Sequence, residues 1–536
     1  MARDNFLKGA AILGAAGVIV KLLGAFYRIP LSNIIKTEGM GYYQTAYPLY
    51  VLLLTVSTSG FPVAIAKLVS EKRALGNYKA AYKVFRVAFI GLFITGVITS
   101  IFVFFNARAI VKALGNENAY YSLIALVPAL FFVPIMAAFR GFFQGRQFMV
   151  PTAISQICEQ FFRVTMGLAL TMALLGRGIP IAAGGASFGG SIGAIAGSIV
   201  MIIIYLKKKK EINAELNSSL TDREDSIGKI VKDLLVIAIP ITIGAAIVPI
   251  MNSIDTFLVL KRLQSINYTE MEANSLYGQL TGLAQTLVNL PQVFSQALAV
   301  SLVPAISEAS AKRKYNEIRN ITNSGIRITL LIGLPCGFGL FILATPIINL
   351  LYYKNSMETI ISTGRILSIL SFSVIFLTLV QSLTAILQGL GKPFISVRNL
   401  FIGAVVKVIL TYILTGIPSI NINGAAISTV VAYFIAAALD LLSVKRYTRA
   451  RFNVKDIFIK PVLSVLGMTI AAKLVYVSVE SLLDNRLSTV LAILVAVVVY
   501  GLLLLLTKTL TYEDFNLLPK GDKIADLLLK LRLIKR

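Results

Sequence analysis

The chain has no tryptophan and no histidine, and only two cysteines, among its 536 residues. Without histidine there is no histidine proton relay and no histidine metal ligand. Cys158 and Cys336 both fall within apolar runs and read as packing residues, so no disulfide framework is expected. With no tryptophan, any interfacial aromatic belt must rest on the 21 tyrosines and 30 phenylalanines. Charge is also scarce, at 14% of residues, and no constellation of acids and nucleophiles is placed for general acid/base work. No enzyme activity, metal or cofactor is expected.

What is present in quantity is apolar sequence. Hydrophobic residues make up 57% of the chain and the mean hydropathy is +0.80. Apolar runs of about 20 residues or more recur along the whole length, which is the span of a transmembrane helix. Fourteen windows stand out, beginning with 10–35 and 42–66, with an eighth at 276–304 and a last at 488–507. The fold class is therefore an all-α polytopic membrane protein. The first run continues past Lys21 into a full span, so it reads as a retained helix and not as a cleaved signal.

Lysine and arginine are unevenly divided among the connecting segments. Of 51, 36 lie on the side of the N-terminus and nine on the other, the remaining six falling in or at the edges of spans. By the positive-inside rule both termini are expected to be cytoplasmic. The formal charge of +26 is then mostly topological. It favours anionic lipid headgroups as neighbours and argues against nucleic acid, since no folded soluble domain presents the basic residues.

The sequence repeats itself. Phe143-Gln144-Gly145 recurs as Leu387-Gln388-Gly389, and Arg163-Val164 as Lys407-Val408, both at an offset of 244. Each half holds six spans in the same orientation, as two repeats related by an axis along the membrane normal would. The expected organisation is an N-terminal lobe at 1–206, a cytoplasmic linker at 207–229 and a C-terminal lobe at 230–444. Two additional spans follow at 445–510, then an amphipathic tail at 511–536, with Ile524, Leu527, Leu528, Leu531 and Ile534 at helical spacing. Gly185, Gly189, Gly193 and Gly197 form a four-residue ladder in the sixth span, echoed by Gly424, Ser428, Ala432 and Ala436 in the twelfth. Small residues at this spacing let helix backbones approach closely. Prolines 48, 128, 240, 249, 291 and 335 are read as lying within spans, where they free carbonyls and permit bending.

Charges inside the spans carry the functional argument. Lys21 and Arg28 lie in the first run seven residues apart, on one helical face and about 10 Å apart along the axis. A cation at the bilayer centre costs roughly 2.5–3.5 kcal/mol, so both need a wet cavity, an anionic partner or a snorkelling route to the interface. Arg163 and Lys407 sit at equivalent places in the two halves and are candidates for further anion contacts. Glu159 stands one turn before Arg163, where an i,i+4 pair would neutralise both. Lys473 reads as a snorkel or an inter-helix contact.

Several stretches carry a family resemblance: Lys21-Leu-Leu-Gly-Ala-Phe-Tyr-Arg28-Ile-Pro-Leu31, the segment from Pro62 to Glu71, Phe143-Gln-Gly145 with Val150-Pro151-Thr152, and Leu387-Gln-Gly-Leu-Gly-Lys392. They resemble the polysaccharide-transporter branch of the multidrug/oligosaccharidyl-lipid/polysaccharide (MOP) exporter superfamily. Within it the chain is most similar to the group of stage V sporulation protein B and the Gram-positive lipid II flippases. The resemblance implies two six-helix lobes working by alternating access. It implies an undecaprenyl-pyrophosphate-linked saccharide as cargo, in the plasma membrane, with cell-wall synthesis enzymes as partners. It also implies that Lys21 and Arg28 are cargo contacts. The Gram-negative flippases carry an Asp-Arg pair before the proline of helix eight, where this chain has Gln285-Thr286 before Pro291. Two other readings stay open: a cation-coupled multidrug exporter of the same superfamily, with Asp255, Glu159 or Asp440 as coupling acid, and a membrane scaffold without transport.

Overall fold

The computed structural model describes residues 2–220, 225–450, 452–453, 455–481, 483–507 and 509, with side chains from residue 12 onward. The expected amphipathic tail at 511–536 lies outside the described residues. Every regular element among them is helical. Thirteen helical stretches are long and apolar enough to cross a membrane. The first of these, Ile12–Ala74, is 63 residues long and contains the first two windows read from the sequence. At 1.5 Å per residue that is about 95 Å, three times the hydrocarbon core. It is divided instead by the backbone at Lys36, where φ is 56° and ψ is −168°. The two windows are joined by that single turned residue, with no loop between them.

The chain forms two compact units, residues 1–264 with 268–278, and residues 265–267 with 279–536. The first comprises α1 (Ala2–Thr58), α2 (Phe61–Ala74), α3 (Tyr78–Ala113), α4 (Tyr120–Ala125), α5 (Val127–Gly145), α6 (Val150–Leu174), α7 (Ile179–Asn217), α8 (Ile227–Gln264) and α9 (Glu270–Tyr277). Local sequence sets these ends. Asn77 caps α3 by accepting from the Ala80 amide. Thr269 and Glu272 form a reciprocal capping box at α9. Proline at the first turn opens α5, α6 and α7, where a missing N–H costs nothing. Pro128 is one of these, so it starts a helix and does not bend one. The core is aromatic, with Phe85 stacked on Phe142 at 4.4 Å between centroids, and Phe139, Phe143, Ile65 and Met136 packed around them.

The stretch 207–217, read as the start of a linker, continues α7 and is fastened to the first unit. Ile212 is buried, Glu215 pairs with Arg73 and Arg146, and the Leu220 amide donates to the Gly76 carbonyl at 3.1 Å. Asp225 pairs with Lys72 and Lys229. The sequence reading opens the second lobe at residue 230, whereas α8 is grouped with the first compact unit.

The second unit comprises α10 (Gln285–Asn289), α11 (Gln292–Ala311), α12 (Tyr315–Ile342), α13 (Ala344–Leu351), α14 (Met357–Gly389), α15 (Pro393–Thr415), α16 (Ile422–Thr448), α17 (Lys460–Glu480) and α18 (Asn485–Leu506). A π-helical segment, Gly278–Ala284, precedes α10 at the point where the two units divide. Pro291 is the residue before α11, so it too marks a helix start, whereas Pro48, Pro240, Pro249 and Pro335 lie inside helices as read.

Both small-residue ladders face the preceding helix. A Cβ at Gly189 would lie 2.5 Å from the Gly167 Cα, and one at Gly193 2.4 Å from the Glu159 carbonyl oxygen. In the second unit a Cβ at Gly424 would lie 2.5 Å from the Leu414 carbonyl carbon. Ser428 and Thr411 share a hydrogen bond of 2.6 Å. The repeat seen in the sequence is thus also a repeat of contacts.

Candidate anion site in the first unit

The first of the two in-span cations are presented by α1. Tyr27, between them, is buried and donates from its hydroxyl to the Ala186 carbonyl on α7 at 3.0 Å. Gly24 faces α6: a Cβ there would stand 3.3 Å from the Gln160 amide nitrogen. The helix is thereby fixed in rotation. Lys21 comes out exposed and Arg28 half-buried. The α1 face that carries Gly24 and Tyr27 thus packs on α6 at Gln160 and Gly167, on either side of Arg163.

Arg163 belongs to a network that spacing alone only half predicts. Its Nη2 donates to Glu159 Oε1 at 3.1 Å, the expected i,i+4 pair. The other carboxylate oxygen, Glu159 Oε2, accepts from Arg140 Nη2 on α5 at 3.0 Å. Arg140 Nε in turn donates to Ser155 Oγ at 3.0 Å. All three charged side chains are only 16–17% exposed. Two guanidinium groups on one carboxylate leave a net positive charge. Tyrosines from the part of α1 beyond Lys36 line the same region. Arg163 Nη1 donates to the Tyr47 hydroxyl at 3.4 Å, and Tyr47 stacks on Tyr43 at 5.5 Å between centroids.

Arg140 is the member of this network that the sequence pattern does not single out. It stands in the last turns of α5, which runs to Gly145. The offset of 244 offered a signal, since it pairs Arg140 with Thr384, a polar position in the second unit.

The remaining candidates lie elsewhere. Asp255 is half-buried on α8. Lys407 is half-buried on α15 in the second unit. Asp440 on α16 is fully buried. Its Oδ1 accepts from Asn399 Nδ2 at 2.9 Å, and Asn399 Oδ1 accepts from Arg398 Nη2 at 3.0 Å. Thr384 stands beside the same carboxylate, while Oδ2 makes no hydrogen bond of ordinary geometry. Glu159 and Asp440 are thus in opposite situations: the first is claimed by two arginines, the second by the Asn399 amide with Thr384 beside it.

Comparison with known proteins agrees with this architecture. Residues 6–310 match the model of the polysaccharide biosynthesis protein family, and residues 280–413 match the MatE model. Stage V sporulation protein B of Bacillus subtilis (strain 168) is 29% identical over 525 residues, covering 97% of this chain and 98% of that protein. The lipid II flippase MurJ of the same organism is 28% identical over 518 residues, covering 93% and 94%. Among solved structures, a lipid II flippase MurJ in an inward closed conformation aligns with a TM-score of 0.68 at 19% identity, over 92% of this chain and 98% of that one. An inward-facing multidrug resistance MATE transporter of the MOP superfamily aligns at 0.65 and 14% identity, over 83% and 98%. These structural likenesses concern the fold. With more than half of its length matched by one family model, the chain is a multi-pass membrane protein that belongs to the polysaccharide biosynthesis protein family.

Proposed function

We propose that this protein is a flippase that carries an undecaprenyl-pyrophosphate-linked saccharide, lipid II or a related cell-wall or spore-cortex precursor, from the cytoplasmic to the outer leaflet of the plasma membrane by alternating access. The observation that carries the reading is the cation excess in the first unit, where Arg140 and Arg163 share one carboxylate, Glu159, on the helix against which the Tyr27 end of α1 packs. A diphosphate needs charge-assisted donors, and a guanidinium supplies them in a planar fork. Lys21 and Arg28 are the first cargo contacts, Arg163 is a contact held in place by Glu159, and Lys407 supplies a cation at the equivalent place in the second repeat. An inside-negative potential favours outward movement of an anion by about 2.3 kcal/mol per charge per 100 mV. Full-length relatives named as a sporulation protein and a lipid II flippase support the same cargo class.

The test is flipping of a labelled undecaprenyl-pyrophosphate saccharide in proteoliposomes. Lys21→Ala and Arg28→Ala should each slow it at least about tenfold without loss of inserted protein, and Lys21→Arg should retain more activity than Lys21→Gln. Unmodified rates in both alanine variants would sink the proposal. The topology that goes with it, both termini cytoplasmic, predicts that a single cysteine at position 217, in a variant lacking Cys158 and Cys336, resists impermeant thiol reagents in intact cells. Labelling without permeabilisation would reverse the assignment.

A second reading, cation coupling, is favoured by Asp440, because a buried carboxylate with one oxygen unengaged is suited to a small cation. Asp440→Asn should then abolish any ion dependence of transport, and an unchanged dependence would exclude Asp440 from coupling. Asp255→Asn serves as the parallel probe on α8.

A further inference from the structure

Within the second unit, two adjoining cavities form one amphipathic recess. The first, of about 390 Å³, lies where the ends of α12, α13 and α14 meet α17 and α18, and its walls include Arg365, Lys473, Tyr476, Glu480 and Asn485. The second, of about 360 Å³, is a trough between α12, α14 and α16 walled by Phe341, Phe372, Phe376, Ile427, Val430 and Val431. Phe341 and Ser368 line both, so the polar recess opens directly into the apolar trough.

The charges of the polar end call for an anion. Arg365 lies eight residues inside α14 and Lys473 seven residues inside the far end of α17, which places each about 10–12 Å from its helix end. Cations at that depth are costly in lipid unless they meet an anion or reach the interface. Neither forms a salt bridge among the described residues, and Lys473 instead stands 6.0 Å from the Tyr476 ring centroid. Glu480 is the one carboxylate in the wall, and its Oε1 is occupied by the Tyr476 hydroxyl at 2.8 Å. Asn485 Nδ2 donates to that same hydroxyl at 3.1 Å. The polar wall is therefore net positive, and its acid is already engaged.

The trough sets the other half of the ligand. From Ser368 to Phe376 it follows α14 for about 12 Å, close to one leaflet of a hydrocarbon core about 30 Å thick. We propose that this recess binds an anionic phospholipid, its phosphate between Arg365 and Lys473 and an acyl chain along Phe341, Phe372 and Phe376. The lipid joins α17 and α18 to the body of the second repeat, and it belongs to the leaflet opposite the one facing the turns at 312–314 and 390–392. The site stands independently of the transport reading, since none of its residues is assigned to cargo or coupling.

The experiment is native mass spectrometry of the purified full chain titrated with phosphatidylglycerol, phosphatidylcholine and undecaprenyl phosphate, alongside melting temperatures. Phosphatidylglycerol should bind roughly tenfold more tightly than phosphatidylcholine and raise the melting temperature. The Arg365→Gln/Lys473→Gln pair should lose that preference, and Lys112→Gln, an exposed cation outside the recess, should keep it. Val431→Trp, which fills the trough and leaves both charges in place, should weaken phosphatidylglycerol binding while the lipid-free protein melts as before. Equal affinity for the two phospholipids, or an unchanged preference in the double variant, would overturn the proposal. Stronger displacement by undecaprenyl phosphate would overturn it too, by assigning the recess to a polyprenyl lipid.

Discussion

The two repeats pack alike and are charged differently, and the difference can be followed residue by residue. At an offset of 244, Arg140, Ser155, Glu159 and Arg163 of the first unit correspond to Thr384, Asn399, Gly403 and Lys407 of the second. The close approach is kept in both, but the glycine changes sides. In the first unit α6 carries the Glu159 side chain and α7 supplies Gly193 opposite it; in the second α15 supplies Gly403, whose Cβ would meet the Ala432 carbonyl oxygen at 2.6 Å. The carboxylate moves accordingly. It sits on α6 between two arginines in the first unit, and on α16, at Asp440, beside an asparagine in the second. One backbone interface thus supports a cation-rich site and a buried acid, because helix contact fixes spacing and leaves open which helix bears the functional group.

The comparison is broken most severely at the interface itself. Gly193→Leu forces a side chain into the α6 backbone and should abolish accumulation of folded protein, measured as the monodisperse fraction in size-exclusion chromatography. Overpacking by even a few methylenes costs roughly 1–3 kcal/mol where side chains can give way, and here the obstacle is main chain. A monodisperse Gly193→Leu protein would show that the ladder is not tightly packed.

Removing the acids should sharpen the contrast. Glu159→Gln leaves Arg140 and Arg163 facing each other without a counter-charge, and should destabilise by about 3–5 kcal/mol, as expected when one member of a buried pair is lost. Asp440→Asn keeps an acceptor for Asn399 and removes a buried charge, so its melting temperature should stay level or rise. Equal losses in the two variants would mean that the two carboxylates do the same job.

The smallest effect is expected where α8 begins. Asp225 is held near pH 2, by hydrogen bonds from Lys229 and Lys72, below its ordinary value of about 3.9. A depressed carboxylate contributes stability that is complete above its unfolded value and is lost as pH falls from about 4 to about 2. Asp225 and Lys72 are half-buried and Lys229 is exposed, so solvent screens the group and the contribution should be under about 1 kcal/mol. It should appear as an acid-limb difference in melting temperature between the unmodified protein and Asp225→Asn. Coincident acid limbs would release this segment from the first unit.

Hydropathy and spacing alone determined the helical class, the internal repeat, the small-residue ladders, the pairing of Glu159 with Arg163 and most of the span positions; the eighth window, 276–304, is interrupted at Pro291 and the span there is Gln292–Ala311. These follow from properties local in sequence: the length of an apolar run, a period of four, a separation of one helical turn. The sequence did not determine which charges share a space. Nothing in the spacing joins Arg140 to Glu159 until α5 is seen beside α6, and Lys473 reads as a snorkel or an inter-helix contact until Arg365 appears in the wall of the same cavity. Such pairings depend on the rotation and depth at which helices far apart in the chain are packed. In the first unit that is set by the Lys36 turn, the glycine contacts and the Tyr27 hydrogen bond together, and only the tertiary structure decides it.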